Sequence, residues 1–199
     1  MESTKKEKSR SEYRRQDAEL MVAGPPLDFS FRNATSIKDL VDVSARSYRV
    51  GKMPEKPLST GLYLTSSIWL SNNSLENLSH LEELVTELVG GTRDVRWLDL
   101  AYNILSDVDD ELLKFKKLTI LYLHGNRISD MNSLVKLRKL THLRTLTLHG
   151  NPLEQMPAYR RYVVAILPQI TNLDFSPVLE IERRRALPTG FFKTIRVDS

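Results

Sequence analysis

Cysteine is absent from this chain of 199 residues. Without thiols the chain cannot form a disulfide, a thiolate metal site or a thiol nucleophile, and the usual support for an extracellular location is missing. The longest strongly apolar run, 162–167, is too short to cross a bilayer. Residues 1–24 alternate charges and lack the apolar stretch of a secretion signal. These absences predict a cytoplasmic protein without membrane insertion.

Motifs that carry catalysis or bind cofactors are also missing. Gly51-Lys52 lacks the glycine-rich approach and the following serine or threonine of a phosphate-binding loop. Gly90-Gly91 is typical of the end of a helix. We therefore expect no cofactor, no small-molecule substrate and no enzymatic activity.

A short pattern of the form L-x-L-x-x-N-x-L is present four times, at 68–75, 98–105, 121–128 and 146–153, with isoleucine as the first residue of the first copy and the last residue of the third. Its asparagines stand at 73, 103, 126 and 151, so they lie 30, 23 and 25 residues apart. Self-similarity at such a period is typical of a solenoid, in which each repeat buries its apolar face against its neighbours.

The alternating apolar residues of each copy predict a short strand with one face inward. After the strand the chain has to turn without leaving unpaired backbone groups in the interior. An asparagine amide carries both donors and acceptors and can pair with such groups from inside the turn. We therefore predict a ladder of asparagine amides beside a column of leucines.

The segments between the strands are predicted to be helices or helical turns. One apolar face is expected in the first connection, Ser79 and Glu82 match a capping box, and Gly90-Gly91 ends the helix. The apolar face consists of Leu78, Leu81, Leu84, Val85 and Leu88, and Met131, Leu134, Val135, Leu137 and Leu140 repeat its pattern. Strand, turn and helix at this period predict a right-handed curved solenoid.

The four segments resemble the leucine-rich-repeat consensus, with the spacing of its short intracellular type. Residues 151–175 resemble the cap that closes many such solenoids, in which Pro157 begins a helix and Pro168 ends it. The resemblance implies an α/β fold: a leucine-rich-repeat solenoid with a parallel inner sheet, a helical convex side and a C-terminal cap. We expect a charged tail at 1–24, disordered or ordered by a partner, an N-terminal extension and cap at 25–61, repeats and C-terminal cap at 62–178, and a basic tail at 179–199.

The segment Pro25–Phe31 combines stiff prolines with two aromatic residues. Such a composition suits an extended segment that packs against the first repeat as an N-terminal cap. The alternative is a docking peptide for another protein.

His124 and His149 occupy the same position in consecutive repeats, so their side chains should project about 4.8 Å apart. Zinc needs three or four ligands, and the equivalent residues Ala101 and Ser176 cannot supply them well. We interpret the histidines as repeat-consensus residues and expect no metal. Asp99 and Asp174 are separated by two whole repeats, too far for an acid–base pair, and are interpreted as surface contacts.

The residues between the buried leucines should point out of the inner sheet and form the concave face. Exposed aromatic side chains on a rigid sheet beside arginines are typical of a protein-binding hot spot. The alternative is that the tryptophans pack against the N-terminal segment or against each other. The predicted protein-binding residues are Trp69, Arg96, Trp97, Asp99, Ile120, Tyr122, His124, Arg144, Thr147 and His149.

Charge is distributed unevenly along the repeats. Residues 76–111 contain ten acidic residues against two basic ones, and residues 112–144 contain eight basic residues against one acidic residue. Such charges most commonly belong to a solvated outer surface. The functional alternative is that the basic residues attract acidic tubulin tails or nucleic acid. The acidic repeat argues against a continuous nucleic-acid track. The basic group in the helical connections consists of Lys114, Lys116, Lys117, Lys136, Arg138 and Lys139.

The segments Pro25–Phe31, Ile68–Asn73, Leu121–Asn126 and Leu146–Pro152 resemble, more narrowly, a small leucine-rich-repeat subfamily associated with cilia-bearing animals. That resemblance implies a scaffold of the cilium or axoneme with protein partners, tubulin or axonemal chains among them. The alternative hypothesis is a soluble adaptor of a phosphatase or ribonucleoprotein complex, since the fold alone does not separate the two.

Overall fold

The computed structural model describes residues 24–47, 51–188 and 190–195. Within these ranges seven strands form one sheet in chain order, and β1 to β6 run parallel while β7 runs antiparallel to β6. The strands are β1 Leu27–Asp28, β2 Ser67–Trp69, β3 Trp97–Asp99, β4 Ile120–Tyr122, β5 Thr145–Thr147, β6 Asn172–Leu173 and β7 Ser176–Pro177. The parallel inner sheet of a leucine-rich-repeat solenoid is therefore confirmed.

The predicted asparagine ladder is present. Asn126 donates from its amide to the carbonyl of Leu123 in its own repeat at 2.9 Å and to that of Leu100 in the preceding repeat at 3.0 Å. Its side-chain oxygen accepts the N–H of Leu105 at 3.0 Å. Asn73, Asn103 and Asn151 bind neighbouring backbone in the same way. Each amide thus satisfies buried backbone groups of two adjacent coils.

The first connection contains an α-helix, α1 Leu81–Val89, which ends at Gly90 in a left-handed conformation with φ 84°. The expected capping box of Ser79 and Glu82 is wrong, because the helix is preceded by His80 at φ 71° and has no side-chain cap of its own. The next repeat supplies the acceptors instead. Asp109 accepts the N–H of Leu78 at 2.8 Å, and Glu111 accepts that of Glu82 at 3.3 Å.

The two shorter repeats have 3₁₀ helices, Asp110–Lys114 and Met131–Lys139. The second of them lies where the helical pattern of the first connection was expected to repeat. A 3₁₀ helix rises about 2.0 Å per residue against about 1.5 Å for an α-helix. Fewer residues therefore span the same height, which suits repeats of 23 and 25 residues better than the 30-residue repeat that holds α1. Further 3₁₀ helices are Ile37–Leu40, Thr92–Asp94 and Pro152–Gln155.

Both ends of the sheet are covered. At the N-terminal end β1 pairs with β2, and Phe29 is buried while its carbonyl accepts from Asn73. At the C-terminal end helix α2, Tyr159–Ile166, lies between Pro157 and Pro168, and Val163, Ile166 and Leu167 are buried.

The described part of the segment expected as a basic tail, 179–199, is folded onto this cap. It contains the short helices α3 Glu180–Arg183 and α4 Phe191–Thr194. An ion pair between Arg160 of α2 and Glu182 of α3, with Nε and Oε1 2.7 Å apart, connects the two helices. The ring of Phe191 stacks on that of Tyr162 with centroids 5.7 Å apart. The expected tail at 1–24 falls outside the described residues except for Gly24.

Three lysines of the basic group form ion pairs with acidic residues of their own or preceding connections. Lys114 contacts Glu82 at 2.7 Å and Glu111 at 2.6 Å. Lys117 contacts Asp94 at 3.2 Å, and Lys136 contacts Asp107 at 3.2 Å and Asp110 at 3.4 Å. The opposite charges seen along the sequence therefore partly neutralise each other across the repeats, which weakens the basic group as a surface for acidic polymers.

Candidate functional site

Aromatic side chains form a connected strip on the concave face. Trp69 and Trp97 are in edge contact with ring centroids 5.3 Å apart, and Trp97 contacts Tyr122 at 5.6 Å. The contacts continue from Tyr122 to Phe175 at 5.4 Å and from Phe175 to His149 at 5.7 Å. We call this set the aromatic strip, and its members are Trp69, Trp97, Tyr122, Phe175, His149, His124 and Tyr102.

The strand register explains why these rings meet. Trp69, Asp99 and Tyr122 are partners across β2, β3 and β4, and Trp97 pairs with Ile120 in the adjacent row. Neighbouring parallel strands lie about 4.8 Å apart, so bulky side chains in adjacent rows come into edge contact. Burial and the nearby Asp99 carboxylate raise the pKa of the Tyr122 hydroxyl, which keeps this part of the strip uncharged.

Two expected members of the binding surface form hydrogen bonds within the protein, and of these two only Thr147 is buried. Thr147 is fully buried and its hydroxyl lies 2.8 Å from Nδ1 of His124, so it is not available to a partner. Arg144 is exposed, but its Nη1 donates to the carbonyls of Thr141 and Leu143 at 2.8 and 2.9 Å. The guanidinium of Arg96, by contrast, has no hydrogen bond or ion pair among the described residues.

The interpretation of Asp174 as a surface contact is wrong. Its Oδ1 accepts the N–H groups of Leu148 at 2.6 Å and His149 at 3.0 Å, and its Oδ2 accepts the hydroxyl of Tyr159 at 2.8 Å. The carboxylate therefore satisfies backbone donors where the regular sheet stops. The chain turns at this residue, because the backbone of Asp174 is in the left-handed conformation with φ 52°.

The repeat pattern predicts that Phe175 is buried in the core, but the structure exposes it on the concave face. By register it follows Leu173 as Leu148 follows Leu146, which predicts a buried position. Its backbone is instead in the left-handed conformation with φ 60°, and its side chain is 61% exposed. The ring contacts those of Tyr122, His124 and His149 in the strip. The sequence carries one signal for this departure, because Val178 stands where the other repeats have their ladder asparagine.

Tyr102 is a second residue that the expected surface omitted. It precedes the ladder residue Asn103, a position occupied by glycine in the next two repeats, and it has φ 53°. The turn directs its ring outward, where it is 55% exposed and contacts His124 at 5.0 Å.

His124 and His149 lie face to face with ring centroids 4.6 Å apart and an interplanar angle of 10°. The spacing expected from adjacent strands is thus confirmed. Burial, with a smaller effect of His149, lowers the pKa of His124 from 6.5 to about 4. Among the described residues no group of three metal-binding side chains is close enough to hold an ion.

Among the helices of the described ranges, none has the length and apolar character that a membrane span requires.

The repeats and cap match known proteins in sequence. The family model described as "Leucine-rich repeat" matches residues 70–198. Leucine-rich repeat-containing protein 51 of Homo sapiens is 42% identical over 165 residues, which cover 83% of this chain and 84% of that protein. The same protein of Mus musculus is 41% identical over the same coverage.

A solved structure supports the fold independently. The crystal structure of the Drosophila melanogaster SNF/U2A′ complex matches with a TM-score of 0.54 and 23% identity, over 84% of this chain and 87% of that chain. At this identity the likeness concerns the fold alone. Because the family model spans more than half of the sequence and the relatives align over most of it, the chain belongs to the leucine-rich repeat family and is a relative of leucine-rich repeat-containing protein 51.

Proposed function

We propose that this protein is a non-enzymatic scaffold that holds a partner chain on the aromatic strip, within a ciliary or axonemal assembly. The observation that carries the proposal is the continuity of the strip, in which Trp69, Trp97, Tyr122 and Phe175 are joined by successive ring contacts. Rigid aromatic side chains bury much area with little loss of side-chain entropy, and protein-binding hot spots are enriched in them.

The polar groups beside the strip suit a polypeptide partner. Arg96 precedes Trp97 and has guanidinium donors that the described residues do not use. A partner's carbonyl or carboxylate would accept from them. The resemblance to the subfamily associated with cilia-bearing animals supports the ciliary setting. The similarity to leucine-rich repeat-containing protein 51 of Homo sapiens extends over 83% of this chain and so includes most of the repeat region.

Photo-crosslinking tests the surface and the setting together. We would place benzoylphenylalanine at position 120 on the concave face, and as a control at position 138 on the opposite connection, in protein expressed in ciliated cells. The proposal requires crosslinks to axonemal chains from position 120 and not from position 138. Crosslinks from position 138 alone would move the binding surface to the basic connections.

Once a partner has been identified, point variants measure how much the strip contributes to the binding free energy. Trp97→Ala is expected to weaken binding by about 2 kcal/mol or more, as for hot-spot residues generally. Phe175→Asn removes an exposed ring at φ 60°, where asparagine is tolerated, and should also weaken binding. Phe31→Asn is the matched control, because Phe31 has φ 54° and is 47% exposed but is not part of the strip.

A second candidate function is an adaptor subunit of a ribonucleoprotein complex. It is favoured by one observation: U2 small nuclear ribonucleoprotein A′ of Mycosarcoma maydis is 36% identical over 95 residues, which cover 47% of this chain and 39% of that protein. Crosslinks from position 120 to ribonucleoprotein chains in the soluble fraction, and none to axonemal chains, would favour this function over the first.

A further inference from the structure

A groove lies at the C-terminal cap, away from the aromatic strip, between α2 and the chain that follows α3. Its volume is about 240 Å³. Its apolar lining comes from Val164 and Ala165 on α2 and from Leu187 and Pro188 on the following chain. Leu187 is 46% exposed, so an apolar side chain is presented to any molecule that enters the groove.

Three arginines line the same groove. Arg161 donates to the carbonyl of Ala186 at 2.8 Å, and Arg183 donates to the carbonyls of Pro168 at 2.9 Å and of Ile170. These acceptors are neutral, so they hold the two guanidiniums in place without cancelling their charge. Arg185 has no hydrogen bond or ion pair within the described ranges. A guanidinium has five N–H donors, so all three arginines retain donors for a ligand.

The acidic side chain in the lining, Glu182, is paired mainly with Arg160 and interacts only weakly with Arg185. Glu182 receives two hydrogen bonds from Arg160, at 2.7 and 3.2 Å, and one from the N–H of Leu179 at 2.8 Å. The Arg160 guanidinium, with the Leu179 N–H, lowers the pKa of Glu182 to about 2. The carboxylate is therefore ionised and balanced by Arg160, which leaves the groove with an excess of positive charge.

We propose that the cap groove, lined by Arg161, Arg183 and Arg185 around Leu187, binds an acidic peptide segment of a partner that carries one large apolar side chain. Arginine suits carboxylates because its planar fork matches their geometry. The charge complementarity selects this site over the lysines of the connections, because Lys114, Lys117 and Lys136 are already paired with carboxylates. This site is separate from the aromatic strip and does not depend on the function proposed for it.

The test is fluorescence anisotropy of the full-length protein with the labelled peptide Glu-Glu-Glu-Leu-Glu-Glu. Arg185→Glu is expected to weaken binding by about tenfold or more, since a charge is reversed in the site. Arg138→Glu carries the same change of net charge on an exposed residue of the 3₁₀ helix Met131–Lys139 and should leave binding within about twofold. Leu187→Ser should abolish the preference for this peptide over hexaglutamate.

Each alternative result overturns the proposal. Equal weakening by Arg185→Glu and Arg138→Glu would show attraction to the overall charge of the protein. Equal binding of Gln-Gln-Gln-Leu-Gln-Gln would show that carboxylates are not recognised. Absence of binding to the acidic peptide, with Arg185-dependent binding to phosphatidylserine vesicles, would assign the groove to a lipid surface. Circular dichroism of each variant establishes that it is folded, and the exposed Arg185 makes unfolding an unexpected outcome.

Discussion

The hydroxyl of Tyr159 donates to Oδ2 of Asp174 at 2.8 Å. The other carboxylate oxygen of Asp174 accepts the N–H groups of Leu148 and His149, directly after β5, so this one side chain connects α2, the last full repeat and the turn that exposes Phe175. The cap and the end of the aromatic strip therefore share a common support. Burial, with the nearby Asp174 carboxylate, raises the pKa of Tyr159, so the phenol remains a donor.

Tyr159→Phe should destabilise the fold by about 1–2 kcal/mol, because it removes a hydrogen bond to a charged acceptor that is largely enclosed. Urea denaturation followed by circular dichroism measures the change. Tyr63→Phe is the control, since the Tyr63 hydroxyl has no hydrogen bond to any described residue. Equal midpoints for the two variants would contradict a supporting role for the Tyr159–Asp174 bond.

Asn126→Ala should be more damaging, because it leaves the carbonyls of Leu100 and Leu123 and the N–H of Leu105 without their partner inside the ladder. A buried group that loses its partner costs about 1–3 kcal/mol, so we expect a loss of about 3 kcal/mol or more in the free energy of unfolding. Asn77→Ala removes a single exposed bond to the N–H of Ser79 and should change stability by less than about 1 kcal/mol. Similar losses in both variants would argue against the ladder as the main support of the repeats.

The partly buried His124 makes stability depend on pH. The pKa of His124 is about 4 in the folded protein and 6.5 in its ordinary state, so between these values the unfolded chain binds a proton that the folded protein does not. The stability that depends on neutral His124 is therefore fully present above pH 6.5 and is lost as the pH falls toward 4.

His124→Phe should reduce the loss of stability between pH 7 and pH 5 that wild type shows in urea denaturation. His142→Phe, at an exposed position, serves as the control and should lose stability with pH as wild type does. An unchanged pH dependence in His124→Phe would exclude His124 as the titrating group.

The repeat architecture could be predicted from the sequence because its causes are local. The two leucines and the asparagine of each copy specify a strand and a turn within eight residues, and the amide pairs with backbone groups of the same and the adjacent coil. The positions of Trp69, Trp97 and Tyr122 on one face follow directly from the strand register.

Features that depend on contacts between repeats could not be predicted in this way. Glu111 of the following repeat accepts the N–H of Glu82 in the first turn of α1, and Asp109 accepts that of Leu78 before the helix, so the local match of Ser79 and Glu82 to a capping box was misleading. Phe175 is exposed because Asp174 leaves the strand geometry to accept the N–H groups that follow β5, and the pattern of alternating apolar residues contains no information about that turn.

Gly125 provides a last prediction, because two separate costs oppose a side chain there. Its φ of 68° is unfavourable for other residues, and a Cβ would lie 2.6 Å from the ring of Tyr102. Gly61→Ala has only the conformational cost, because Gly61 has φ 65° and no atom lies within 4 Å of a Cβ built there. This variant should lower the free energy of unfolding by about 1–2 kcal/mol. Gly125→Ala should cost about 1–3 kcal/mol more, as expected for overpacking.

The contact with Tyr102 can be isolated by a double-mutant cycle measured by urea denaturation. Tyr102→Ala in the Gly125→Ala background should remove the additional loss, so that the remaining effect of the alanine at position 125 approaches that of Gly61→Ala. Additive effects of Tyr102→Ala and Gly125→Ala would mean that the ring moves aside without cost. The cycle therefore tests whether the exposed Tyr102 ring is held against the Gly125 turn beside His124, as a rigid edge of the aromatic strip requires.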